Sequence, residues 1–499
     1  MSHEKLVAHY RRVHHLSHVS QIVGWDEAVM MPGGSGDARA EAMATLERIR
    51  HDIAADPRVA AWIATAKSEA LDATGRASLR EIERSYARAT ALSPTLVEAQ
   101  SRARVRCELA WREQRKTSDF EGHRPLLEDV VRYEREEAEC LAERFGVSPY
   151  DALLDRYEPG LKSALLDTLF GELESVLPDL LEAVLARQSH AVVRTPPAPF
   201  PSEQQRALSL ELMAKLGFDF ERGRLDTSHH PFCAGMPDDV RITTRYNEGD
   251  FVDSLMCVLH ETGHAKYEQG LPPRLRGLPV GEARSTAVHE SQSLLQEMLV
   301  CRGLPFLTFA EPLIRRAFAE QARRAPEAFS AENLTRLCTR VARTAIRVDA
   351  DEVTYPLHVM FRYRIERALV EGTLEVRDLP EQWDAAMRRW LGISTGNNHR
   401  DGCMQDIHWG SGLFGYFPSY VLGALLAAQL FEAAQAGVED LNHRIARGEF
   451  GPLDAFLRDR VWSKASLLET DELVVQATGK PLGVEAFERH LRRRYLGAV

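Results

Sequence analysis

Apolar residues recur at three- and four-residue intervals between Arg, Glu and Asp along most of the chain, most regularly over 60–145 and 160–190. That period predicts amphipathic helices and a mainly α fold. Proline and glycine interrupt it at MMPGGSGD (30–37), VSPYD (147–151), VRTPPAPFPSE (193–203), LPPRLRGLP (271–279) and GISTGNNHRDG (392–402). One stretch departs from the helical habit. DVRITTRY (239–246) alternates Val240, Ile242, Thr244 and Tyr246 with Arg241, Thr243 and Arg245, the period of a half-buried strand. A strand just ahead of a helix can align an extended peptide along its edge.

After that strand, Phe251, Val252, Leu255, Met256 and Leu259 form a helical stripe that starts at Asp250 and is expected to end at Gly270, before Leu271-Pro272-Pro273. The helix carries HETGH, residues 260–264. His260 and His264, four apart, lie on one face and can offer imidazole nitrogens to a single ion. Glu261 stands about 100° round the helix, placed to miss the ion and take a proton from water bound to it. With 18 histidines in the chain, the motif can arise by chance, so its context decides. Two unpaired imidazoles on an apolar helix are costly. Gly263 weakens the helix by about 1 kcal/mol relative to Ala, which points to a close approach there.

A tetrahedral catalytic site needs a third protein ligand and an open position. GEARSTAVHESQSLLQEMLV (281–300) reads as a helix with Ala287, Glu290, Leu294 and Met298 on one face. Glu290 among apolar neighbours calls for a cation. Glu297, seven residues on, shares nearly the same face, and spacing alone does not separate the two. Glu282, at the expected helix start, and Glu268, one turn beyond His264, are weaker candidates.

Composition narrows the class. A chain of 499 residues with 44% hydrophobic and 27% charged residues is an ordinary globular protein. Its net charge of -11 argues against a nucleic-acid footprint. No run approaches a membrane span; the longest, YVLGALLAAQLF, is short and followed by EAAQ. The beginning, MSHEKLVAHYRRVHHLSHVS, has no signal-peptide core, and seven scattered cysteines without a Cys-x-x-Cys pair read as reduced thiols. A cytoplasmic location is expected.

Taken together, HETGH, HESQ (289–292), GWDEAVMMPGG near the start, HPF (230–232), Asp239-x-Arg241-x-Thr243, IRVDAD (346–351) and GCMQDIHW (402–409) resemble the carboxypeptidase Taq family of zinc metallopeptidases. The resemblance covers most of the chain. It implies His260, His264 and Glu290 as zinc ligands, favouring Glu290 over Glu297, with Glu261 as general base. It also implies a single helical catalytic unit over 1–499 with a deep groove, release of single C-terminal residues with broad specificity, and a homodimer. The first 190 or so residues are expected to form a helical wall or lid. Where the family often reads Trp-Glu-Asn, this chain has Gln296-Glu297-Met298.

Peptide hydrolysis also needs a donor to the oxyanion and a device that selects the bond. QDIHWGSGLFGYFPSYVLG (405–423) offers His408, Tyr416 and Tyr420. Its order of histidine and YFPSY is similar to the donor segment of the angiotensin-converting-enzyme type of zinc peptidase, which favours His408 and Tyr416. A free C-terminal carboxylate matches the forked donors of arginine. Arg347 leads, with Asp349 and Asp351 nearby as possible ion-pair partners, and Arg241 is second. Tyr420 and Gln405 are further substrate-side candidates. His230 and Asp239 are expected to buttress the site, and Asp239 or Asp406 to accept the second N–H of a ligand imidazole. Zinc is the expected ion, with Co or Mn able to substitute. An endo-acting oligopeptidase with the same ligands is the alternative, since only the carboxylate-binding arginine separates the two.

Overall fold

Helices form where the three- and four-residue period predicts them, in a computed structural model that describes residues 1–229 and 231–497. In the first part these include α1 (Ser2–Val29), α2 (Pro94–Thr117), α3 (Phe120–Phe145) and α4 (Ser163–Gln188). Their starts are marked by local chemistry. Ser93 caps α2 by accepting from the Leu96 amide, with Pro94 at the first helical position, and Asp119 caps α3 through the Gly122 amide.

Four helices of the second part position the site: α5 (Phe251–Gly270), α6 (Thr286–Leu294), α7 (Tyr355–Val370) and α8 (Pro418–Gly437). Helix α8 contains the longest apolar run of the sequence, and it is hydrophobic all round because two cores meet on it. Val421 and Leu425 join Leu357 and Phe361 of α7 and Leu169 and Leu177 of α4 in one core. Leu426 and Leu430 join Leu255 and Leu259 of α5 and Val288 of α6 in the other. The first core runs through both parts of the chain, so α3 and α4 share an interior with the site-bearing helices, although no residue of either lines the cavity around HETGH. Among the described residues no helix is long and apolar enough to cross a membrane.

The expected strand is present as β3 (Asp239–Thr244), and it is the centre of a three-stranded sheet with β1 (Gly223–Thr227) and β2 (Phe232–Met236), order β1-β3-β2. β1 runs parallel and β2 antiparallel to it. With both edges of β3 paired, the strand available beside the groove is β2. Val240 and Ile242 bury against Val258 and Ala265 of α5, which seats the sheet on the HETGH helix.

The helix expected over 281–300 starts later and changes its winding partway along. Helix α6 begins only at Thr286, capped by Ser285, and from Leu295 to Cys301 the chain winds as a π-helical turn. Glu282 therefore lies ahead of the helix.

Candidate active site

Asp250 accepts from the Val252 amide and opens α5, and the helix ends at Gly270, as the sequence predicts. Gly263 explains itself: a Cβ there would lie 2.6 Å from Gln292 O and 2.6 Å from Ser293 Cα, so α5 and α6 touch backbone to backbone. This approach brings Glu290 to the histidines. A second glycine completes the fit, since a Cβ on Gly423 of α8 would stand 2.8 Å from Glu290 Cβ.

Ligand atoms of His260, His264 and Glu290 all lie within 4.8 Å of one another. His264 Nε2 is 3.4 Å from Glu290 Oε2, and His260 Nε2 is 3.9 Å from Glu290 Oε1. Ligands around a tetrahedral zinc with bonds near 2 Å stand about 3.3 to 3.5 Å apart, so the group is close to the spacing an ion requires. Charge points the same way. Glu261, Glu268, Glu290 and Glu297 surround His260, His264 and His289, and Arg302 pairs with only one of the four carboxylates, Glu297. Such a surplus of buried negative charge favours a divalent cation.

Glu261 is 8% exposed and lines the same cavity. Burial pushes its carboxyl up to about 7; the charge of His260 opposes the rise and that of Glu290 adds to it. A carboxyl poised near neutrality suits a group that accepts and returns a proton.

The expectation that Asp239 or Asp406 supports a ligand imidazole is not met. Glu297 Oε2 lies 2.9 Å from His260 Nδ1, while His264 Nδ1 meets His289 Nδ1 at 2.6 Å, and His289 in turn meets Glu268 at 2.8 Å. Asp239 is occupied by Arg241, through bonds of 2.6 and 3.0 Å. Arg241 is likewise absent from the cavity wall: its guanidinium lies 4.4 Å from the Trp25 ring of α1, tying that helix to the sheet. His230 falls outside the described residues.

The cavity holding these groups measures about 1060 Å³. Tyr10, His14 and Gln21 of α1 and Phe232, Cys233 and Met236 of β2 form part of its wall, and Arg347, Tyr355, Tyr416 and Tyr420 form another. Arg347 is 5% exposed and does not use Asp349 or Asp351. Its Nη2 donates to Asp406 at 2.9 Å and its Nη1 to the Tyr355 hydroxyl at 2.7 Å. Asp406 is shared with the fully buried Arg362, whose Nε donates to it at 2.8 Å. Two guanidinium groups on one carboxylate leave a net positive charge at and behind this part of the wall, where Arg347 lines the cavity and Arg362 does not. Burial opposes ionisation of Asp406, but Arg362 and Arg347 hold its carboxyl well below the ordinary range.

Gln405 acts behind Arg347. It accepts from the Arg347 amide at 2.8 Å and donates to Ala345 O and Asp401 O, strapping the arginine's backbone to the 401–405 loop. Tyr416 and Tyr420 stack edge to face at 5.3 Å, and burial raises both phenols, so they stay protonated donors. Both line the cavity that holds His260, His264 and Glu290. His408 packs on Phe417 at 4.5 Å. Burial, then the charge of Arg347, lowers its imidazole to about 4, so it is neutral. Sequence reasoning missed Arg362, Tyr355, His289 and the supporting role of Glu297. Arg362, His289 and Glu297 meet partners 25 to 44 residues away, whereas Tyr355 lies eight residues from Arg347 and carries no motif that marks it.

Comparison with known proteins adds four relations. The profile described as carboxypeptidase Taq (M32) metallopeptidase matches residues 5–495. Thermostable carboxypeptidase 1 of Thermus thermophilus is 38% identical over 99% of this chain and 98% of its own, and carboxypeptidase 1 of Bacillus subtilis is 32% identical over 97% and 96%. Among solved structures, Trypanosoma cruzi metallocarboxypeptidase 1 superposes with a TM-score of 0.96 at 40% identity, covering 99% of both chains.

Proposed function

The chain belongs to the carboxypeptidase Taq (M32) metallopeptidase family and is a metallocarboxypeptidase; from that premise we propose how its own residues divide the work. His260, His264 and Glu290 hold one zinc ion. An ion there supplies a Lewis acid that lowers the pKa of water toward neutrality and polarises a peptide carbonyl. Glu261 takes the proton of the attacking water and returns it to the departing amine. Tyr416, on the cavity wall, donates a hydrogen bond as negative charge develops on the carbonyl oxygen, while neutral His408 lies off the wall with its ring 5.8 Å from that of Tyr416. Tyr420 and Tyr355 flank the anchor, and Gln405 keeps it in place.

The observation that carries this reading is the pairing of Arg347 and Arg362 on the single carboxylate of Asp406. The resulting positive charge faces the cavity that contains Glu261 and the ligand group, so a free C-terminal carboxylate seated on Arg347 sets the scissile bond one residue away. An endo-acting peptidase has no use for that charge, which weighs against the alternative. The wide cavity around the anchor supports broad side-chain tolerance. The seven cysteines are free, which supports a reducing, cytoplasmic setting, and homodimerisation follows from family resemblance. A mass-spectrometric time course on a defined free-acid peptide tests the assignment: stepwise loss of single C-terminal residues by the wild type and none by Glu261→Gln is the expected result.

A further inference from the structure

His260 is gripped by two carboxylates of one helical segment. Glu290 and Glu297 are seven residues apart, which on a regular helix places them on the same face about 10 Å apart along the axis. The imidazole stands between them. Glu290 Oε1 approaches its Nε2 at 3.9 Å, and Glu297 Oε2 approaches its Nδ1 at 2.9 Å. With Nε2 facing the ion position, Nδ1 carries the proton and donates it to Glu297, which fixes both the tautomer and the ring plane.

Glu297 is itself built in. It is 6% exposed, and its other oxygen accepts from Arg302 Nη2 at 2.6 Å and Nε at 3.0 Å. Arg302 is anchored in turn on Cys338 O at 2.7 Å. The turn that presents Glu297 is the π-helical segment Leu295–Cys301, whose last carbonyls, as at any helix end, have no partner further along the helix. Arg494, near the C-terminus, takes two of them, Met298 O at 2.5 Å and Leu299 O at 3.3 Å, while also bonding Glu352 at 3.0 Å. The irregular turn is thus held from outside, and its consequence is the position of one carboxylate.

We propose that Glu297 is a positioning residue for the metal ligand His260, and that the π-helical turn, braced by Arg302 and Arg494, is the device that holds it there. The inference rests on the ligand assignment above. Glu297 is outside the group of candidate ligands; it acts by keeping the His260 ring aimed and its far nitrogen protonated. Its charge also makes the imidazole a better donor to a cation.

Zinc dissociation constants of the metal-free protein, measured by competition with a chromophoric chelator, provide the test. Glu297→Ala is expected to bind zinc about 10- to 100-fold more weakly than wild type. Glu297→Gln, which retains an acceptor for Nδ1 but not the charge, falls between them. Thermal unfolding of each metal-free variant reports folding separately, and if the alanine variant fails to fold, Glu297→Gln alone carries the comparison. Glu290→Gln tests the underlying assignment: zinc affinity unchanged there overturns the ligand set itself. Loss of zinc in Glu290→Gln together with folded Glu297 variants that bind within twofold of wild type overturns only the role of Glu297.

Discussion

Gly423 stands so close to Glu290 that a Cβ on the glycine would lie 2.8 Å from both Cβ and Cγ of the glutamate. Glu290, the third ligand we propose, therefore owes its place to the absence of a side chain on α8. Gly423→Ala must push Glu290 away or separate the helices, at an overpacking cost of about 1 to 3 kcal/mol. The expected outcome is a lower unfolding temperature and at least a tenfold loss of bound metal, read by calorimetry and elemental analysis. Metal content equal to wild type contradicts the fit.

The base is tested by its amide. Glu261→Gln keeps volume and removes the group that shuttles the proton, so kcat should fall by about 10²- to 10⁴-fold. Zinc binding should change little, because Glu261 is not a ligand. Steady-state kinetics on the zinc-loaded variant checks both halves of this expectation.

Chelation separates a metallopeptidase from a helical scaffold. Treatment with 1,10-phenanthroline should abolish peptide hydrolysis, and added zinc or cobalt should restore it, since a His-His-Glu site accepts either ion. Activity that survives full metal removal, verified by elemental analysis, contradicts the account.

Much of this site was readable before the fold. HETGH, its helix from Asp250 to Gly270 and the oddness of Gly263 all follow from periods of three and four residues, which local sequence carries. What escaped depends on distant partners. The sequence offered Arg347 as a candidate carboxylate anchor, but its partner Asp406 is 59 residues away, and proximity in sequence pointed instead to Asp349 and Asp351. Glu290 and Glu297 share a helical face, so spacing left them undecided; in the structure they approach opposite nitrogens of His260. Strands β1 and β2, GRLDT and FCAGM, are five residues each and have no clear alternation, and only pairing with β3 makes them strands. The π-helical turn is braced by Arg494, almost 200 residues away, a contact that local spacing does not carry.

Asp406 gives the anchor an acid limit. Its folded-state carboxyl lies below its unfolded value of about 3.9, so its contribution to stability is complete above that value and is lost as pH falls through and below it. Asp406→Asn lacks this titration. Its unfolding free energy should be lower than wild type at neutral pH, and the gap should narrow as pH drops below about 4. Urea titrations at a series of pH values measure the gap; one that widens on acidification contradicts the assigned pairing.

The most direct test of the central claim compares a peptide with its own C-terminal amide. A free acid can seat its carboxylate on Arg347, whereas the neutral amide leaves the positive charge shared by Arg347 and Arg362 without a partner. A hydrogen bond to a charged group contributes about 1.5 to 3 kcal/mol, so kcat/KM for the amide should be at least tenfold lower, and Arg347→Met should shrink the difference by weakening the free acid. The account predicts stepwise trimming of the acid and near-inertness of the amide. Equal cleavage of both by the wild-type enzyme would contradict it.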